Sequence, residues 1–499
     1  TIDPVVQNNL QFILKKHQRK LVANHIYNAS VLITEVETGK VIAYAGNGPS
    51  TPHNQAKYVN MVSAPRSTGS VIKPFLFNSM LNSGELLPHM LVPDIPVFFN
   101  GFHPKNYNKS YDGAVPASEA LTRSLNVPAV LMLKKYGIEN FRLDIKKWGF
   151  TTVNKTAAFY GLSLILGGAE ITLWDLTANY RKLALLAKQK ETATPMHFIS
   201  EKETERLPAF HSGGAYLTLK TIRDLTRPSN EIGWETFSTK NIAWKTGTSF
   251  GHRDAWAVGV SSTYVVGVWV GNASGEGRAS LTGIDAAAPV LFDVFATLNK
   301  GKWLDRPYES LEKITVCKLS GHPASENCNA TYESDKLTNV ENYEACPYHR
   351  KVFLDEFGQY RVHANCYPPE KMTSATVFVL PPSQESYYRK KHLEYKGLPP
   401  WDAHCNSTGK NAVIQLIYPA DFQILVPTKD LSGNKGKVVF KAAHSNPEEI
   451  VYWHLDENYL GQTQHFHDFA IELTAGQHTV YLIDGNGNET QQKFEVKLN

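Results

Sequence analysis

The spacing of apolar and polar positions changes several times along the chain. Residues 31–46 contain two apolar runs on either side of a polar turn with Gly39, which predicts a β-hairpin. Helical periodicity then dominates residues 116–187, including the segment 169–180. Strand-like apolar runs return at residues 241–246, 255–260 and 262–271. Because strands stand at both ends of a helical block, we expect a mixed α/β domain whose sheet combines strands from both ends.

From about residue 305 the apolar residues no longer follow a regular helical or strand spacing. A second strand-rich region begins at about residue 411. Cys, Pro and Tyr are frequent between these points, and Pro-Pro pairs indicate irregular connections. After residue 411, short apolar runs alternate with turn sequences such as Asp484–Gly487, which predicts an immunoglobulin-like sandwich. We therefore predict three units, an α/β domain at 1–304, a Cys- and Pro-rich irregular connector at 305–410, and an all-β sandwich at 411–499.

Composition restricts the partners and the compartment. The chain has 499 residues, 42% of them hydrophobic, which is enough for more than one core. Its formal charge of +4 is too small to indicate a nucleic-acid partner, and none is expected. No run of about 18 apolar residues is present, so no membrane span is predicted. Since the chain begins at Thr1 without Met, we expect any export signal or membrane anchor in a missing N-terminal region.

Five cysteines lie in one stretch of the predicted connector, at positions 317, 328, 346, 366 and 405. They allow two disulfides with one thiol left over. A zinc site is the alternative, built on Cys346-x-x-His349 with the other cysteines, His363 and His404 nearby. In an exported protein, disulfides or structural thiols are the favoured interpretation. We therefore expect no metal and no cofactor.

Three short motifs in a fixed order carry the chemical signal: Ser70-Val-Ile-Lys73, Ser124-Leu-Asn126 and Lys245-Thr-Gly247. Each is weak alone, because Ser-x-x-Lys usually marks a helix start with a solvated lysine and Lys-Thr-Gly usually marks a turn. What strengthens the signal is their order and spacing along the chain. Their predicted positions on a helix start, a helix junction and a strand favour an acyl-transfer site that opens an amide bond.

The first motif supplies a nucleophile and a base. We predict that Ser70 lies at the start of a helix after Gly69, with Lys73 one turn later on the same face. A serine hydroxyl needs an adjacent base. Lys73 can be that base only as a neutral amine, which requires burial or a neighbouring cation such as Lys245. The helix N-terminus favours the oxyanion that forms during attack.

The other two motifs supply proton transfer and substrate binding. Ser124 is predicted to relay a proton to the leaving amine, and Asn126 to hold Lys73 and the substrate backbone. Residues 245–249 are predicted to form an exposed sheet edge where an extended peptide adds as a strand. Gly247 is expected to allow its close approach. We expect Lys245, Thr246 and Thr248 to bind a terminal carboxylate of the substrate. The Thr248 N–H is expected to donate a hydrogen bond to the oxyanion, beside the Ser70 N–H.

Longer segments around the motifs resemble a known family. Arg66–Phe75, Leu125–Ala129, Gly167–Leu173 and Lys245–Trp256 are similar to the transpeptidase domain of class A, bifunctional penicillin-binding proteins. Thr1–Gln7 resembles the segment that opens this domain after the glycosyltransferase domain. The C-terminal part resembles the penicillin-binding protein 1C branch at Cys346–His349, Trp453–Gly461 and Gly476–His478.

This resemblance implies the fold shared with serine β-lactamases and a periplasmic D,D-transpeptidase that cross-links peptidoglycan stem peptides. Ser70 would attack the penultimate D-alanine of a D-Ala-D-Ala terminus, and β-lactam inhibitors would acylate the same serine. The resemblance also implies that this chain lacks the glycosyltransferase domain, and that the full-length protein is attached to the cytoplasmic membrane.

Two departures and two alternatives qualify the resemblance. Leu125 replaces the Asp of β-lactamases, and no Glu-x-x-Leu-Asn sequence for a deacylating water is present. Both argue against a β-lactamase. A D,D-carboxypeptidase, with water as acceptor, stays open. So does a non-catalytic cell-wall scaffold, in which the 411–499 unit would bind a cell-wall or envelope protein.

Overall fold

The structure is a computed structural model of the whole chain. It describes residues 1–48, 56–99, 102–199, 203–223, 241–299, 301–405, 413–427, 436–446, 448–456 and 458–497. Within these ranges, no helix has both the length and the apolar character needed to cross a bilayer.

Helices lie mainly before the predicted connector. They are α1 (Pro4–Ala23), α2 (Lys73–Ser83), α3 (Ala117–Thr122), α4 (Asn126–Tyr136), α5 (Ile138–Trp148), α6 (Ala157–Tyr160), α7 (Leu173–Ala187), α8 (Ser212–Arg223), α9 (Ala288–Thr297) and, within the connector, α10 (Pro382–Tyr388). Shorter 3₁₀ segments are Gly161–Leu166, Tyr308–Ser310 and Pro369–Lys371, and Gly283–Ala287 is a π-helical turn that leads into α9.

Strands occur along the whole chain. Those before the connector are β1 (Asn28–Glu35), β2 (Val41–Ala45), β3 (Arg66–Ser67), β4 (Leu91–Asp94), β5 (Gly113–Pro116), β6 (Glu170–Ile171), β7 (Thr192–Ala193), β8 (Glu205–Arg206), β9 (Ala243–Thr248), β10 (Asp254–Val260) and β11 (Tyr264–Gly271). The later strands are β12 (Leu311–Cys317), β13 (Thr331–Leu337), β14 (His349–Leu354), β15 (Thr373–Phe378), β16 (Ile414–Tyr418), β17 (Gln423–Leu425), β18 (Val438–His444), β19 (Val451–Leu455), β20 (Asn458–Thr463), β21 (Asp468–Ile471), β22 (Gly476–Asp484) and β23 (Glu489–Val496).

One antiparallel sheet organises the first domain. Its described strands run in the order β2-β1-β11-β10-β9, so strands from before and after the helical block lie side by side. This confirms the predicted mixed α/β architecture. The predicted hairpin is also confirmed as β1 and β2, with Gly39 at φ +74° in the turn between them.

Two apolar cores lie on opposite faces of this sheet. One contains α2, α4, α7 and α8, and it includes the aromatic side chains of Phe75, Trp148 and Tyr180. The other contains α1 and α9. Leu311 and Leu337 of the β12–β13 ribbon belong to the first core as well. A boundary at residue 304 therefore divides segments that pack in the same core. The division of the chain into three units stays our proposal.

Two helix starts differ from the sequence prediction. The helix after Ser70 begins at Lys73, and Ser70 lies in the preceding turn. Residues 170–171 form strand β6, which pairs with β3, although their periodicity predicts a helix. Helix α7 begins only after Thr172, whose hydroxyl accepts from the Asp175 N–H at 2.9 Å. Since this cap satisfies a free N–H of the first turn, it sets the helix start.

The connector contains more regular structure than its composition indicates. It forms two antiparallel ribbons, β12–β13 and β14–β15, followed by α10. All five cysteines lie in described residues. Cys366 and Cys405 form a disulfide, whereas Cys317, Cys328 and Cys346 carry free thiols. Of the two disulfides that the cysteine count allows, the structure contains one.

The C-terminal region is a two-sheet sandwich. Its described strands form one sheet in the order β16-β18-β21 and another in the order β17-β23-β22-β19-β20. Trp453, Phe440 and Phe494 are buried in the core between them. This agrees with the predicted all-β domain, of which residues 411–412, 428–435, 447, 457 and 498–499 lie outside the described part.

The connector packs against the first domain through helix α10 and strand β5. A Cβ on Gly113, which has φ +80°, would lie 2.2 Å from the Gln384 carbonyl oxygen. The Asp112 carboxylate accepts hydrogen bonds from Arg123 and from Lys391, which lies just beyond α10. These contacts support the segment that leads into α3 and Ser124.

Arg181 ties the β1–β2 turn to helix α7. Its guanidinium is almost fully buried and donates to the carbonyls of Val36 at 2.8 Å and Thr194 at 2.8 Å, with further contacts to Glu35 and Glu37. Desolvation lowers the pKa of Arg181 to about 10. The side chain thus satisfies several main-chain acceptors, among them the buried Val36 carbonyl.

We expect Arg181→Leu to lower the free energy of unfolding by about 3 kcal/mol or more, because buried carbonyls lose their donors. Chemical denaturation measures the loss. The matched control is Arg19→Leu at an exposed position, which should change stability by no more than about 0.5 kcal/mol. Equal effects of the two substitutions would contradict the role given to Arg181.

Candidate active site

Ser70 lies in a turn that is held by main-chain and side-chain contacts. The Ser70 carbonyl accepts from the Lys73 N–H at 3.2 Å, and the Thr68 carbonyl accepts from the Val71 N–H at 3.3 Å. The buried Tyr180 hydroxyl donates to the Val71 carbonyl at 2.8 Å. Ser70 itself is partly exposed, so a fixed turn presents an accessible hydroxyl.

The Ser70 turn touches the backbone of strand β9. Gly69 adopts φ +50°, and a Cβ there would lie 2.6 Å from the carbonyl oxygen and 2.8 Å from the nitrogen of Thr248. A Cβ on Gly247 would lie 2.8 Å from a Val71 methyl group and 3.0 Å from the Thr68 carbonyl oxygen. Both positions therefore need glycine. The missing side chain of Gly247 faces the Ser70 turn, and its expected role in the close approach of a bound peptide stays a prediction.

Lys73 is buried at the start of α2 and points towards the second motif. Its ammonium donates to the carbonyls of Ser124 at 2.9 Å and Leu125 at 3.1 Å, and to Asn126 Oδ1 at 2.8 Å. No carboxylate compensates its charge through these contacts. The pKa of Lys73 is lowered well below the ordinary lysine value, first by desolvation and then by the positive charge of Lys245. The neutral amine therefore forms at lower pH than in an ordinary lysine.

Ser124 connects the second and third motifs. The buried Lys245 donates from Nζ to Ser124 Oγ at 2.8 Å and to the Thr246 carbonyl at 2.9 Å. Ser124 lies between α3 and α4 at φ +57°, which is unfavourable for a residue with a Cβ. The backbone is therefore strained at the point where it directs this hydroxyl towards Lys245.

Asn126 is held on both sides of its amide. Its Oδ1 accepts from Lys73, and its Nδ2 donates to the Lys105 carbonyl at 2.9 Å. One Nδ2 hydrogen is thus used within the protein. The predicted contact of Asn126 with Lys73 is present, and the second amide hydrogen is the group that a substrate could use.

Asn106 and Asp94 complete the support of Asn126, and the sequence motifs do not identify them. Asn106 Oδ1 accepts from the N–H groups of Asn126 at 3.0 Å and Val127 at 3.1 Å, and so caps helix α4. Asn106 Nδ2 donates to the buried Asp94 carboxylate at 2.7 Å. No local pattern marks Asn106, because β5 and α3 separate it from the helix that it caps.

Strand β9 is the edge strand of the main sheet. It pairs with β10 on one side, and no other described strand lies beyond it. The Thr248 hydroxyl accepts from the Gly283 N–H at 2.9 Å and keeps its own proton for donation. A Cβ on Gly283 would lie 2.9 Å from Thr246 Cβ, so both threonines adjoin the turn before α9.

The structure brings the eight predicted residues together by direct contact. Hydrogen bonds link Lys73, Ser124, Asn126 and Lys245, and backbone packing joins the Ser70 turn to Gly247 and Thr248. The Thr246 carbonyl belongs to the same cluster, because it accepts a hydrogen bond from Lys245. Among the described residues, no hydrogen bond reaches the Ser70 hydroxyl. Such contacts are often long without substrate and tighten only in the reacting complex.

A separate cavity of about 1100 Å³ lies against helix α3. It is bounded by parts of β5, α8, the β12–β13 ribbon and the end of α10, including Arg123, Lys220, Asp335 and His392. Neither Ser70 nor Lys73 lines it. The cavity is therefore distinct from the Ser70 cluster.

Two family models match the chain. Residues 29–163 match the model described as "Penicillin binding protein transpeptidase domain", and residues 403–494 match the "Penicillin-Binding Protein C-terminus Family". The first match includes Ser70, Lys73, Ser124 and Asn126 and ends before Lys245.

Curated relatives include penicillin-binding protein 1C of Escherichia coli (strain K12). It is 29% identical over 432 residues, which is 83% of this chain and 54% of that protein. Penicillin-binding protein 1B of Haemophilus influenzae is 26% identical over 316 residues, 60% of this chain and 39% of that protein. The chain thus spans about half the length of the first of these relatives and less of the second.

Solved structures with a similar fold include penicillin-binding protein 1A from Haemophilus influenzae. Its TM-score is 0.51 at 17% identity, covering 64% of this chain and 54% of that chain. The PonA1 protein from Mycobacterium tuberculosis in complex with penicillin V has a TM-score of 0.50 at 19% identity, covering 61% of this chain and 86% of that chain. At these identities the likeness establishes the fold alone.

We expect Ser124→Gly to be more stable than Ser124→Ala by about 1 kcal/mol, because both lack the hydroxyl and only glycine relieves the left-handed backbone. Chemical denaturation of the two variants measures the difference. Ser79, inside helix α2, is the matched control, where the order should reverse and alanine should be favoured by about 1 kcal/mol. A Ser124→Ala variant at least as stable as Ser124→Gly would contradict the assigned strain.

Proposed function

Because the chain carries the transpeptidase domain and the C-terminal domain of penicillin-binding proteins, we propose that it is a serine D,D-transpeptidase acting through Ser70. The domain matches confirm the resemblance to this family. The observation that carries the proposal is the hydrogen-bonded cluster of Lys73, Ser124, Asn126 and Lys245 beside the Ser70 turn. Three distant segments of the chain supply it, as an acyl-transfer site requires.

In the proposed acylation step, Ser70 Oγ attacks the carbonyl carbon of the penultimate D-alanine of a stem peptide. Lys73 accepts the Ser70 proton as a neutral amine. Its three present acceptors favour the ammonium, whereas burial and Lys245 favour the amine, and burial is the larger influence. Accepting the proton requires Lys73 to exchange one of these contacts for Ser70 Oγ.

The amide bond then breaks, and the terminal D-alanine leaves as an amine. That nitrogen needs a proton, which we assign to Ser124. Its Oγ accepts from Lys245, so its own hydrogen is free to be donated towards the leaving nitrogen. The proton taken from Ser70 by Lys73 restores Ser124, with Lys245 holding the hydroxyl in place.

The oxyanion is assigned to the N–H groups of Ser70 and Thr248. The support is the contact at Gly69, where a Cβ would lie only 2.8 Å from the Thr248 nitrogen. Two preorganised donors on one side of the carbonyl are the usual arrangement for a tetrahedral intermediate. The loss of one such donor costs about 10²–10³ in rate in other acyl-transfer enzymes.

The substrate is proposed to extend along the free edge of β9. Main-chain pairing with an edge strand binds an extended peptide without selecting its sequence. Specificity for a D-Ala-D-Ala terminus is then assigned to the groups that reach its carboxylate: the Lys245 ammonium and the Thr246 and Thr248 hydroxyls. β-Lactams place a carboxylate and a strained amide at similar positions, so we expect them to acylate Ser70.

The amine of a second stem peptide is proposed to resolve the acyl-enzyme. Release of free D-alanine without cross-linked product would instead identify a D,D-carboxypeptidase. These substrates imply a periplasmic site of action, on the outer side of the cytoplasmic membrane. A cell-wall or envelope protein that binds the sandwich formed by β16–β23 is part of the same proposal, and no residue of that surface is assigned to it.

We expect a β-lactam to add one covalent adduct to the chain, mapped to Ser70 by intact-mass and peptide mass spectrometry. Ser70→Ala should abolish the adduct. Ser310→Ala is the matched control, because Ser310 begins another Ser-x-x-Lys sequence, and it should keep the adduct. Undiminished labelling of Ser70→Ala would exclude Ser70 as the nucleophile.

We expect the rate constant of β-lactam acylation to rise with pH and to level off above the lowered pKa of Lys73. Below this pKa Lys73 is an ammonium and cannot accept the Ser70 proton. Lys245→Gln removes a positive charge that lowers this pKa, so it should move the pH profile to higher pH. Lys73→Arg keeps the positive charge at every pH and should reduce acylation by about 10²–10⁴.

Stopped-flow acylation of the two variants and the parent chain measures these profiles. An unchanged midpoint in Lys245→Gln would show that Lys245 does not tune the base. Acylation of Lys73→Arg at the parent rate would rule out Lys73 as the base and leave Ser70 to be activated by another group.

A further inference from the structure

Three cysteines and one histidine of the connector converge on one point. The donor atoms of Cys317, Cys328, Cys346 and His349 all lie within 4.8 Å of one another. His349 Nδ1 lies 3.6 Å from Sγ of Cys317, 3.6 Å from Sγ of Cys328 and 3.3 Å from Sγ of Cys346. A single ring nitrogen thus faces three sulfur atoms from the separate segments 317–328 and 346–349.

These distances fit a tetrahedral zinc ion. With zinc–sulfur bonds of about 2.3 Å and zinc–nitrogen bonds of about 2.0 Å, the sulfur and nitrogen ligands stand about 3.5 Å apart. The sulfur-to-nitrogen distances found here lie within a few tenths of an ångström of this value. Two sulfur atoms bound to the same zinc ion lie about 3.8 Å apart. The four donor atoms here lie at most 4.8 Å apart, so they need to move only slightly closer together to bind the ion.

The surroundings supply hydrogen bonds to the sulfur atoms. The Ser320 hydroxyl donates to Cys346 Sγ at 3.1 Å, and the Ser325 N–H donates to Cys328 Sγ at 3.3 Å. Main-chain N–H groups of Leu319 and Ser320 point to Cys317. Donors directed at cysteine sulfur stabilise thiolates, which is the form that binds a metal. Buried thiols that bind no metal do not need such donors, because they stay protonated.

The cysteine count points the same way. Cys366 and Cys405 are joined in a disulfide, so the chain matures where thiols become oxidised. In that setting, two of the three neighbouring thiols would form a disulfide and the third would stay unpaired. Metal ligation is the arrangement that uses all three and also accounts for His349 among them.

We propose that the connector binds one Zn²⁺ through Cys317, Cys328, Cys346 and His349. Four protein ligands close the tetrahedron and leave no position for a substrate, so the site is structural. The site lies apart from the Ser70 cluster and does not depend on the function proposed above. It replaces the sequence-based preference for disulfides or structural thiols over zinc.

The ion would join the two ribbons of the connector and hold them on the first domain. Cys317 ends β12, and His349 begins β14. The loop after Cys317 reaches strand β4, where the Leu91 N–H donates to the Ser320 carbonyl at 2.8 Å. Gly321, at φ +66°, lies so close that a Cβ would be 1.9 Å from the His89 carbonyl oxygen. Zinc therefore fixes a loop that contacts the first domain through its backbone.

The test is the metal content of the complete chain, purified without a polyhistidine tag and measured by inductively coupled plasma mass spectrometry. We expect about one zinc per chain. Cys328→Ser, at the least buried ligand, should weaken zinc binding at least about tenfold. The matched control is the double variant Cys366→Ser, Cys405→Ser, which also loses cysteines and should keep its zinc.

Cobalt(II) binding to the reduced, metal-free chain gives a second readout. We expect thiolate-to-cobalt charge-transfer bands and the intense visible bands of a tetrahedral ion, all reduced in Cys346→Ser. Circular dichroism of each variant separates loss of metal from loss of fold.

Two results would overturn the proposal. One is a parent chain that contains no zinc and takes up neither Zn²⁺ nor Co²⁺ under reducing conditions. The other is peptide mapping of the purified chain that finds a disulfide between any two of the three cysteines. Equal zinc loss in Cys328→Ser and in the double control variant would also contradict the assigned ligands.

Discussion

The backbone contact between the Ser70 turn and strand β9 is the constraint on which the site depends. Gly69 and Gly247 allow it, because a side chain at either position would collide with the opposite segment. The contact places the Thr248 backbone against Gly69, next to Ser70, and no described strand pairs with the outer edge of β9. It also explains why two motifs far apart in sequence form one site. A larger residue at either glycine would push the Ser70 turn away from Thr248, and so separate the proposed nucleophile from the proposed oxyanion donor.

Burial of Lys73 is the second requirement, and it follows from the packing of α2 in the first core. The buried position removes water from the amine and lowers its pKa, while neutral acceptors from Ser124 to Asn126 keep it in place. A carboxylate in the same position would favour the ammonium and remove the base. The Ser124–Asn126 segment is itself held by Asn106, so the electrostatics of Lys73 depend on a loop outside the three motifs.

Much of this arrangement could be predicted from local sequence, and the rest depends on contacts between distant segments. Alternating apolar runs predicted the β1–β2 hairpin and the strands β9 to β11, because these patterns are local. The start of α2 was predicted too early, since Ser70 is held in a turn by Tyr180 of the distant helix α7. The contact of Gly247 with the Ser70 turn was not predicted for the same reason, because it joins segments that are distant in sequence. The pairing of the cysteines could not be predicted, because composition counts cysteines but does not show which of them meet.

The account predicts one geometry that a single structure can test, that of the complete chain acylated by a β-lactam. Continuous density should join the ligand to Ser70 Oγ, with its carbonyl oxygen between the N–H groups of Ser70 and Thr248 and its carboxylate at Lys245, Thr246 and Thr248. Lys73 should lie within hydrogen-bond distance of Ser70 Oγ. Density at another residue, or a carbonyl oxygen directed away from Thr248, would contradict the central claim that the turn and the edge strand together form the acylating site.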